Sequence, residues 1–597
     1  MLKSPLFFRL TQKSLSSFRL SSICLLLITQ LCFSQKKDEN IGTEVVNVVK
    51  PYTPTISDAF KVKETPSLED DDNSKKETIQ YTIFSFPVAS TFSPSKGKAA
   101  NVDKSKEETL YKNYITGGLG NYLTAFGELY VTENVGDNDY VAGMLKHLSS
   151  QGGIENVPVK DNFLNTALDL TYGSKKSDYS WNTDLGYQIQ TYHWYGLPSD
   201  YGSSLTPEER DGIYDKFDFR QTYSNFYLGG KISFSESVFN EINVKYNRFW
   251  DAYNSSESRF IAKPSFQFDI EDKTIKTNLI VDYVGGTFAK DYAGVAPIDY
   301  GFANFGIYPS FAIRKDDWNI NIGASVFYSL DTKHSDNRLF FYPQINASLK
   351  VVGDWMIFYT GLEGSLDQNS YRDFTNENPF ISPNLIIAPT NKQFDLSAGL
   401  KGKLSNYVSY NAKASYVNEK NKGLFLSNPY NETIIDQNEY KYGNSFGIVY
   451  DDIKTVSIFG ELKADFSKNV TFGINGTLNS FSTTIQQEAW NLPSVKLGAN
   501  FGIKITEQWF AGADIFYVGE RKDMIQKTNI MTLLPATNIQ TLNSYFDVNA
   551  HVEYKFNERL TAFLRLNNIA NQGYQKWLNY PVQSFQIMVG GNYKFDF

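Results

Sequence analysis

The sequence predicts an all-β protein: a transmembrane antiparallel β-barrel of about 22 strands, preceded by a short extended tail. Three observations predict it. Apolar and polar residues alternate with period two through much of the chain. Aromatic residues make up 15% of the 597 residues, yet mean hydropathy is −0.36. Short and long gaps alternate between the strand-like runs, and many short gaps end on an aromatic residue. A sheet with lipid on one face and water on the other has this texture. Other classes are excluded. Beyond residue 35 no run approaches the ~18 apolar residues of a spanning helix. With 57 Lys+Arg against 65 Asp+Glu, the net charge of −8 excludes a basic nucleic-acid binder. Two cysteines are too few for a disulfide framework or a multi-cysteine metal site.

Residues 1–34 read as a secretory signal peptide. Lys3, Arg9, Lys13 and Arg19 form a basic start, Leu20 to Leu31 an apolar stretch, and Cys32-Phe33-Ser34 precede a cut ahead of Gln35. The large Leu31 argues against a lipoprotein reading of Cys32. Both cysteines, Cys24 and Cys32, leave with this segment, and loss of its four basic residues takes the charge from −8 to −12. Residues 35–76 read as an extended tail and acidic linker. Pro51 and Pro54 hold an extended course. Glu69 to Asp72 reads as a solvated run rather than a calcium site. Residues 77–597 are assigned to the barrel.

Six short gaps pair a polar residue with an aromatic: Asn121-Tyr122, Asp178-Tyr179, Asp317-Trp318, Asp354-Trp355, Asn406-Tyr407 and Gln508-Trp509. Four more lie near Ser235-Glu236, Asp272-Lys273, Lys468-Asn469 and Asn557-Glu558. Aromatic rings at headgroup level explain the repetition, so all ten are assigned to one rim, the periplasmic one. Long gaps at about 135–160, 194–216, 369–390, 420–452, 521–540 and 571–582 go to the opposite rim. Ten turns join twenty strands. Ile79 to Val88 supplies a first strand and Phe585 to Phe597 a last, giving 22; the runner-up count is 20.

In that last strand Phe585, Ile587, Val589, Tyr593, Phe595 and Phe597 share one face. The preceding strands behave alike. Phe546, Val548, Ala550, Val552 and Tyr554 alternate with Asp547, Asn549, His551 and Glu553, and Leu560 to Leu566 alternates with Thr561 and Arg565. Asp547, His551, Glu553 and Arg565 are therefore candidate lumen-lining residues. A hydrated charge lattice is the plainer reading of them.

A terminal strand ending on Tyr593, Phe595 and Phe597 resembles the recognition signal by which bacterial outer-membrane barrels are handed to their assembly machinery. The segment Phe563-Leu564-Arg565-Leu566-Asn567-Asn568-Ile569-Ala570-Asn571-Gln572-Gly573-Tyr574 is similar to the end of TonB-dependent receptors. The usual Pro-Gly-Arg appears only as Pro581-Val582-Gln583. Thr43-Glu44-Val45-Val46-Asn47-Val48-Val49 resembles a TonB box, the segment that pairs by strand addition with the energy-transducing protein. The plain alternative is an extended tail. The resemblance also implies a plug domain, and the 42 residues of 35–76 are too few for one. A plug-less member of the family is expected.

No catalytic constellation stands out. Gly443-Asn444-Ser445-Phe446-Gly447 has nucleophile-elbow spacing but falls in a long gap of an all-β chain. His147, His193, His334 and His551 are scattered. No enzyme activity, cofactor or metal site is expected. Two function classes remain. The first is receptor-like substrate passage across the outer membrane of a Gram-negative bacterium. The second is a scaffold barrel among other outer-membrane proteins. An empty ring of this size would be a wide hole. Its filler is one of the inward-folding loops 371–390 and 420–446, the 35–76 segment, or a partner protein.

Overall fold

Period-two alternation demands a sheet whose two faces meet different solvents. The computed structural model shows that sheet as a closed ring. It describes residues 110–597 except 203–205, 215–217, 271–272, 432–437, 468 and 529–534. The wall begins with β1 (Asn113–Gly120), β2 (Thr124–Asn134), β3 (Asp139–Ser150), β4 (Phe163–Lys175), β5 (Tyr179–His193) and β6 (Arg220–Phe234). It continues through β7 (Phe239–Asp251), β8 (Ser256–Ile270), β9 (Lys273–Phe288), β10 (Ile298–Lys315), β11 (Trp318–Asp331) and β12 (Arg338–Val352). Then come β13 (Met356–Asp367), β14 (Thr390–Ser405), β15 (Val408–Ser427), β16 (Phe446–Ser467), β17 (Val470–Ser482), β18 (Val495–Lys504) and β19 (Trp509–Val518). A separate hairpin of β20 (Arg521–Thr528) and β21 (Pro535–Leu542) follows. The wall resumes with β22 (Tyr545–Lys555) and β23 (Leu560–Asn567). A small hairpin of β24 (Gln575–Trp577) and β25 (Tyr580–Pro581) precedes the last wall strand, β26 (Gln586–Phe595). Two short helices, α1 (Pro207–Tyr214) and α2 (Tyr371–Glu377), sit in connections.

Each wall strand pairs antiparallel with its neighbours, and β26 pairs with both β23 and β1, closing 22 strands. The outward face carries Leu168, Leu228, Phe305, Ile345, Ile458, Leu497 and Val589, each at least two-fifths exposed or close to it. An apolar band of this extent needs hydrocarbon to cover it. No helix among the described residues is long and apolar enough to cross a membrane.

One rim carries both free ends of the ring, Asn113 and Phe595, and tight turns. Trp318, Trp355, Tyr407 and Trp509 stand on it, 44–62% exposed, as an interfacial girdle requires. Tyr593, Phe595 and Phe597 continue it, with successive ring centroids 6.2 and 5.5 Å apart. Long connections crowd the opposite rim.

The count of 22 stands, although two assignments behind it do not. The Asn121-Tyr122 turn lies on the long-loop rim, where it joins β1 to β2. The gap 135–160 hides a whole strand, β3. Its outward positions Val141, Gly143, Leu145, His147 and Ser149 and its inward positions Tyr140, Ala142, Met144, Lys146 and Leu148 mix apolar and polar residues, so neither face declares itself. Ile79 to Val88, assigned as the first strand, lies outside the described residues, and the ring closes without it. The gap 420–452 is also shorter than expected, because β15 runs on to Ser427 and β16 begins at Phe446.

The closing seam is lined by glycine. Gly117 faces Gly591 and Gly118 faces Gly590. The ring of Phe563, on the neighbouring strand, lies over Gly590 and Gly118. A Cβ at position 590 would collide with the Gly117 carbonyl oxygen and the Phe563 ring. A Cβ at Gly127 would meet nothing within 4 Å. We therefore expect Gly590→Val to cost at least ~1–3 kcal/mol by overpacking and to lower the yield of closed barrel. Gly127→Ala should be silent. Heat-modifiable migration on SDS gels reads the difference, and equal behaviour of the two variants would refute the seam's tightness.

Candidate functional site

The notable geometry sits inside the long-loop rim. The connection from β13 to β14, residues 368–389, turns into the barrel and carries α2. Ser370 caps that helix, accepting from the Asp373 N–H at 3.0 Å. The cap fixes the direction of the next side chain, Tyr371, which is fully buried. Its ring meets those of Phe288 and Phe249 edge-on, at 4.8 and 5.2 Å.

Two inward carboxylates of the wall anchor this turn. Asp251 accepts from the Tyr371 hydroxyl at 2.8 Å, from Gln221 Nε2 at 3.2 Å, and from the N–H groups of Tyr253 and Ser255. Glu257 accepts from the Tyr300 hydroxyl and the Tyr371 N–H, both at 2.7 Å, and from the Arg372 N–H at 3.3 Å. Burying a carboxylate is costly unless its oxygens are satisfied, and here each has several donors. Arg259 binds Asp282 with two nitrogens, at 2.9 and 2.7 Å, and reaches Asp373 with a third at 2.7 Å. Gln368 accepts from Asn304 at 2.6 Å.

The segment then crosses the lumen. Phe374 meets Phe425 of β15 edge-on at 5.8 Å. Ile381 bridges to Phe446 of β16. Phe380 stacks on Tyr580 of the β23–β26 connection at 3.8 Å. Three sectors of the wall are thus tied together over the mouth. Trp194, Tyr440 and Tyr442 from other long connections extend the aromatic cover. Each fully buried ring contributes roughly 1.5–3 kcal/mol, so ring packing dominates and the carboxylates set the register. Beside the cover a vestibule of about 580 Å³ remains, lined by Phe302, Asp331, Arg338, Phe340, Lys420 and Asp452.

The sequence-derived candidates fall as follows. Asp547, His551, Glu553 and Arg565 alternate with the apolar outward residues of β22 and β23, and His551 faces Arg565 across the strands. They do not converge on one point. Asp547 accepts from Tyr574 at 2.9 Å, and the Arg565 guanidinium lies 4.3 Å from the Phe563 ring centroid. Thr43 to Val49 lies outside the described residues. Ser445 is buried in a loop, its hydroxyl donating to the Tyr440 carbonyl at 2.6 Å, and no strand-turn-helix surrounds it. No group of three or more His, Cys, Asp or Glu among the described residues is placed to hold a metal. Asp251, Glu257 and Tyr371 were missed in the sequence. Glu257 and Arg259 on one face of a strand were the available signal.

The sequence matches no family model and no curated protein. Solved structures do match. The FrpB iron transporter from Neisseria meningitidis aligns with a TM-score of 0.60 at 10% identity, over 82% of this chain and 82% of that one. FpvA of P. aeruginosa, in a complex with iron and a pyoverdine, gives 0.59 at 11%, over 82% and 72%. The ferric-catecholate import receptor Fiu from E. coli K12 gives 0.58 at 10%, over 82% and 83%. This chain has the barrel fold of TonB-dependent receptors.

The barrel also carries a dock that weakens as pH rises. Asp523, on the β20–β21 hairpin outside the wall, is fully buried. Burial raises its pKa from 3.8 to about 6, against hydrogen bonds from Asn491 and the Ser427 and Met524 N–H groups that pull it down. The docked hairpin therefore binds more protons than the undocked one between those two values. Its contribution is full below pH 3.8 and is lost as pH rises through about 6. Docking should be weaker at pH 8 than at pH 5 by about 1–2 kcal/mol. Amide exchange at Ser427 and Met524, corrected for intrinsic rate, should show it. Asp523→Asn should remove the dependence; an unchanged pH profile in that variant would refute it.

Proposed function

We propose that this protein is a receptor-like barrel for substrate passage across the outer membrane of a Gram-negative bacterium, with the girdled rim in the periplasm. The observation that carries the reading is the 368–389 segment, anchored on Asp251 and Glu257 and laid across the mouth. A ring of 22 strands is wide enough for a bulky solute and must be closed at rest. A cover built from the chain's own loops serves a passage that opens on demand. The neighbours are described as import receptors and transporters, which supports passage over a scaffold role. No enzymatic step is assigned.

Within this reading Thr43 to Val49 is the segment engaged by a TonB-type energy transducer through strand addition. Tyr593, Phe595 and Phe597 serve as the signal read by the barrel assembly machinery. Asp547, His551, Glu553 and Arg565 line the aqueous path. The vestibule beside the cover is the first resting place for an external ligand.

In planar bilayers the full chain should conduct poorly. Replacing residues 369–388 with a short Gly/Ser stretch should raise single-channel conductance severalfold. No rise would mean that something other than this segment closes the pore. Deleting residues 41–50 should leave membrane insertion intact and abolish substrate-dependent growth; normal growth of that strain would overturn the energised reading.

A further inference from the structure

Leu542 ends the β20–β21 hairpin and is buried in the same apolar cluster as Trp577 and Tyr580 of the β23–β26 connection. That shared packing pins the foot of the hairpin against the connection. Between them, at the long-loop rim, lies a pocket of about 400 Å³ whose lining includes Asn543, Ser544, Tyr545, Gln572, Tyr574 and Gln575. It shares no residue with the vestibule beside the cover.

One side of the pocket is an aromatic platform. The Tyr545 and Tyr574 rings are parallel to within 2°, with centroids 3.9 Å apart. Arg521 holds them in place. Its guanidinium lies 5.5 Å from the Tyr545 ring centroid. Its two terminal nitrogens donate to the carbonyls of Lys576 and, at 2.7 Å, Gln575. The Tyr574 hydroxyl donates to Asp547 at 2.9 Å. Neither ring turns without breaking one of these contacts. Both are half-buried and keep part of their surface in the pocket.

The rest of the lining is mostly amide and hydroxyl, and none of the described residues lining the pocket is charged. Gln572 Oε1 accepts from the Phe546 N–H at 3.4 Å, and Gln575 Oε1 from the Asn579 N–H at 3.1 Å. A backbone donor fixes which end of a carboxamide is oxygen, so each Nε2 is the end left to donate to a ligand. Asn543 and Ser544 are exposed beside them. An ionic solute finds no counter-charge here, and a purely apolar one leaves the amides unmatched. A pyranose ring matches both parts, with C–H bonds on its face and hydroxyls around its edge.

We propose that this pocket binds a neutral saccharide, one sugar ring lying on the Tyr545–Tyr574 platform and its hydroxyl oxygens accepting from Gln572 and Gln575. A free oligosaccharide and the end of a surface glycan offer the same chemistry. The site stands on its own geometry and does not rest on the passage reading.

The test is saturation-transfer NMR on the full chain in a detergent without a sugar headgroup. Maltotriose, mannotriose, xylotriose and chitotriose serve as free sugars, and delipidated outer-membrane polysaccharide as the surface glycan. At least one probe should bind with a Kd of ~1 mM or tighter, with ring C–H protons receiving most of the transfer. Gln572→Glu and Gln575→Glu keep the acceptor for the backbone N–H and remove the donor, so each should weaken binding about tenfold. Gly573→Trp should abolish it, because a Cβ at that position meets nothing within 4 Å and the indole fills the pocket instead. Binding of a trisaccharide supports a free sugar, and binding of the polysaccharide alone a surface glycan. Binding of no probe overturns the proposal. So does binding that survives Gly573→Trp, or parental affinity in both glutamate variants. Heat-modifiable migration checks that each variant is a closed barrel. If Gly573→Trp does not close, the glutamate variants decide.

Discussion

Hydrocarbon offers no partner to a backbone N–H or C=O, so a sheet that crosses it must close on itself. In this chain the closing contact is β1 on β26. Glycines face each other there, and Phe563 covers them in place of the missing side chains. The other interfaces join strands adjacent in the chain or separated only by a small hairpin. This one joins the two ends of the wall. Once it is made, strand count fixes the width of the ring, and the width creates the need for a cover.

The cover answers that need with ordinary means. Aromatic rings supply most of the packing energy, and buried carboxylates decide where the rings go. Tyr371 shows both at once, its ring against Phe249 and Phe288 and its hydroxyl on Asp251. Asp251 and Glu257 sit on the wall where period-two alternation points them inward, so the segment they hold docks at one height. A rigid wall thereby positions an irregular loop, a common division of labour at binding sites.

Much of the wall was legible in the sequence. Alternation in β22, β23 and β26 and the girdle residues Trp318, Trp355 and Trp509 followed from local chemistry and survive intact. The strand β3 was not legible, because inward Met144 and Leu148 and outward Gly143 and His147 blur its two faces. A strand assigned at 79–88 replaced it in the count, and the total was unaffected. The turn at Asn121-Tyr122 resembled the girdle turns in composition, and composition alone does not say which rim a turn occupies. The anchors of the cover were out of reach for another reason. Asp251 and Tyr371 are 120 residues apart, and only the closed ring brings them together.

Closure has a kinetic side as well. Lys112 and Asp596, hydrogen bonded at 2.8 Å beside the seam, are 484 residues apart. Few contacts in any protein are less local, and non-local contacts form late because loop entropy must be lost before they reward it. The strand emerging first from biosynthesis must keep an unpaired edge until the final strand is available. That edge is a template for mispairing throughout the wait. The seam that makes the wall continuous also sets when the molecule first exists as one.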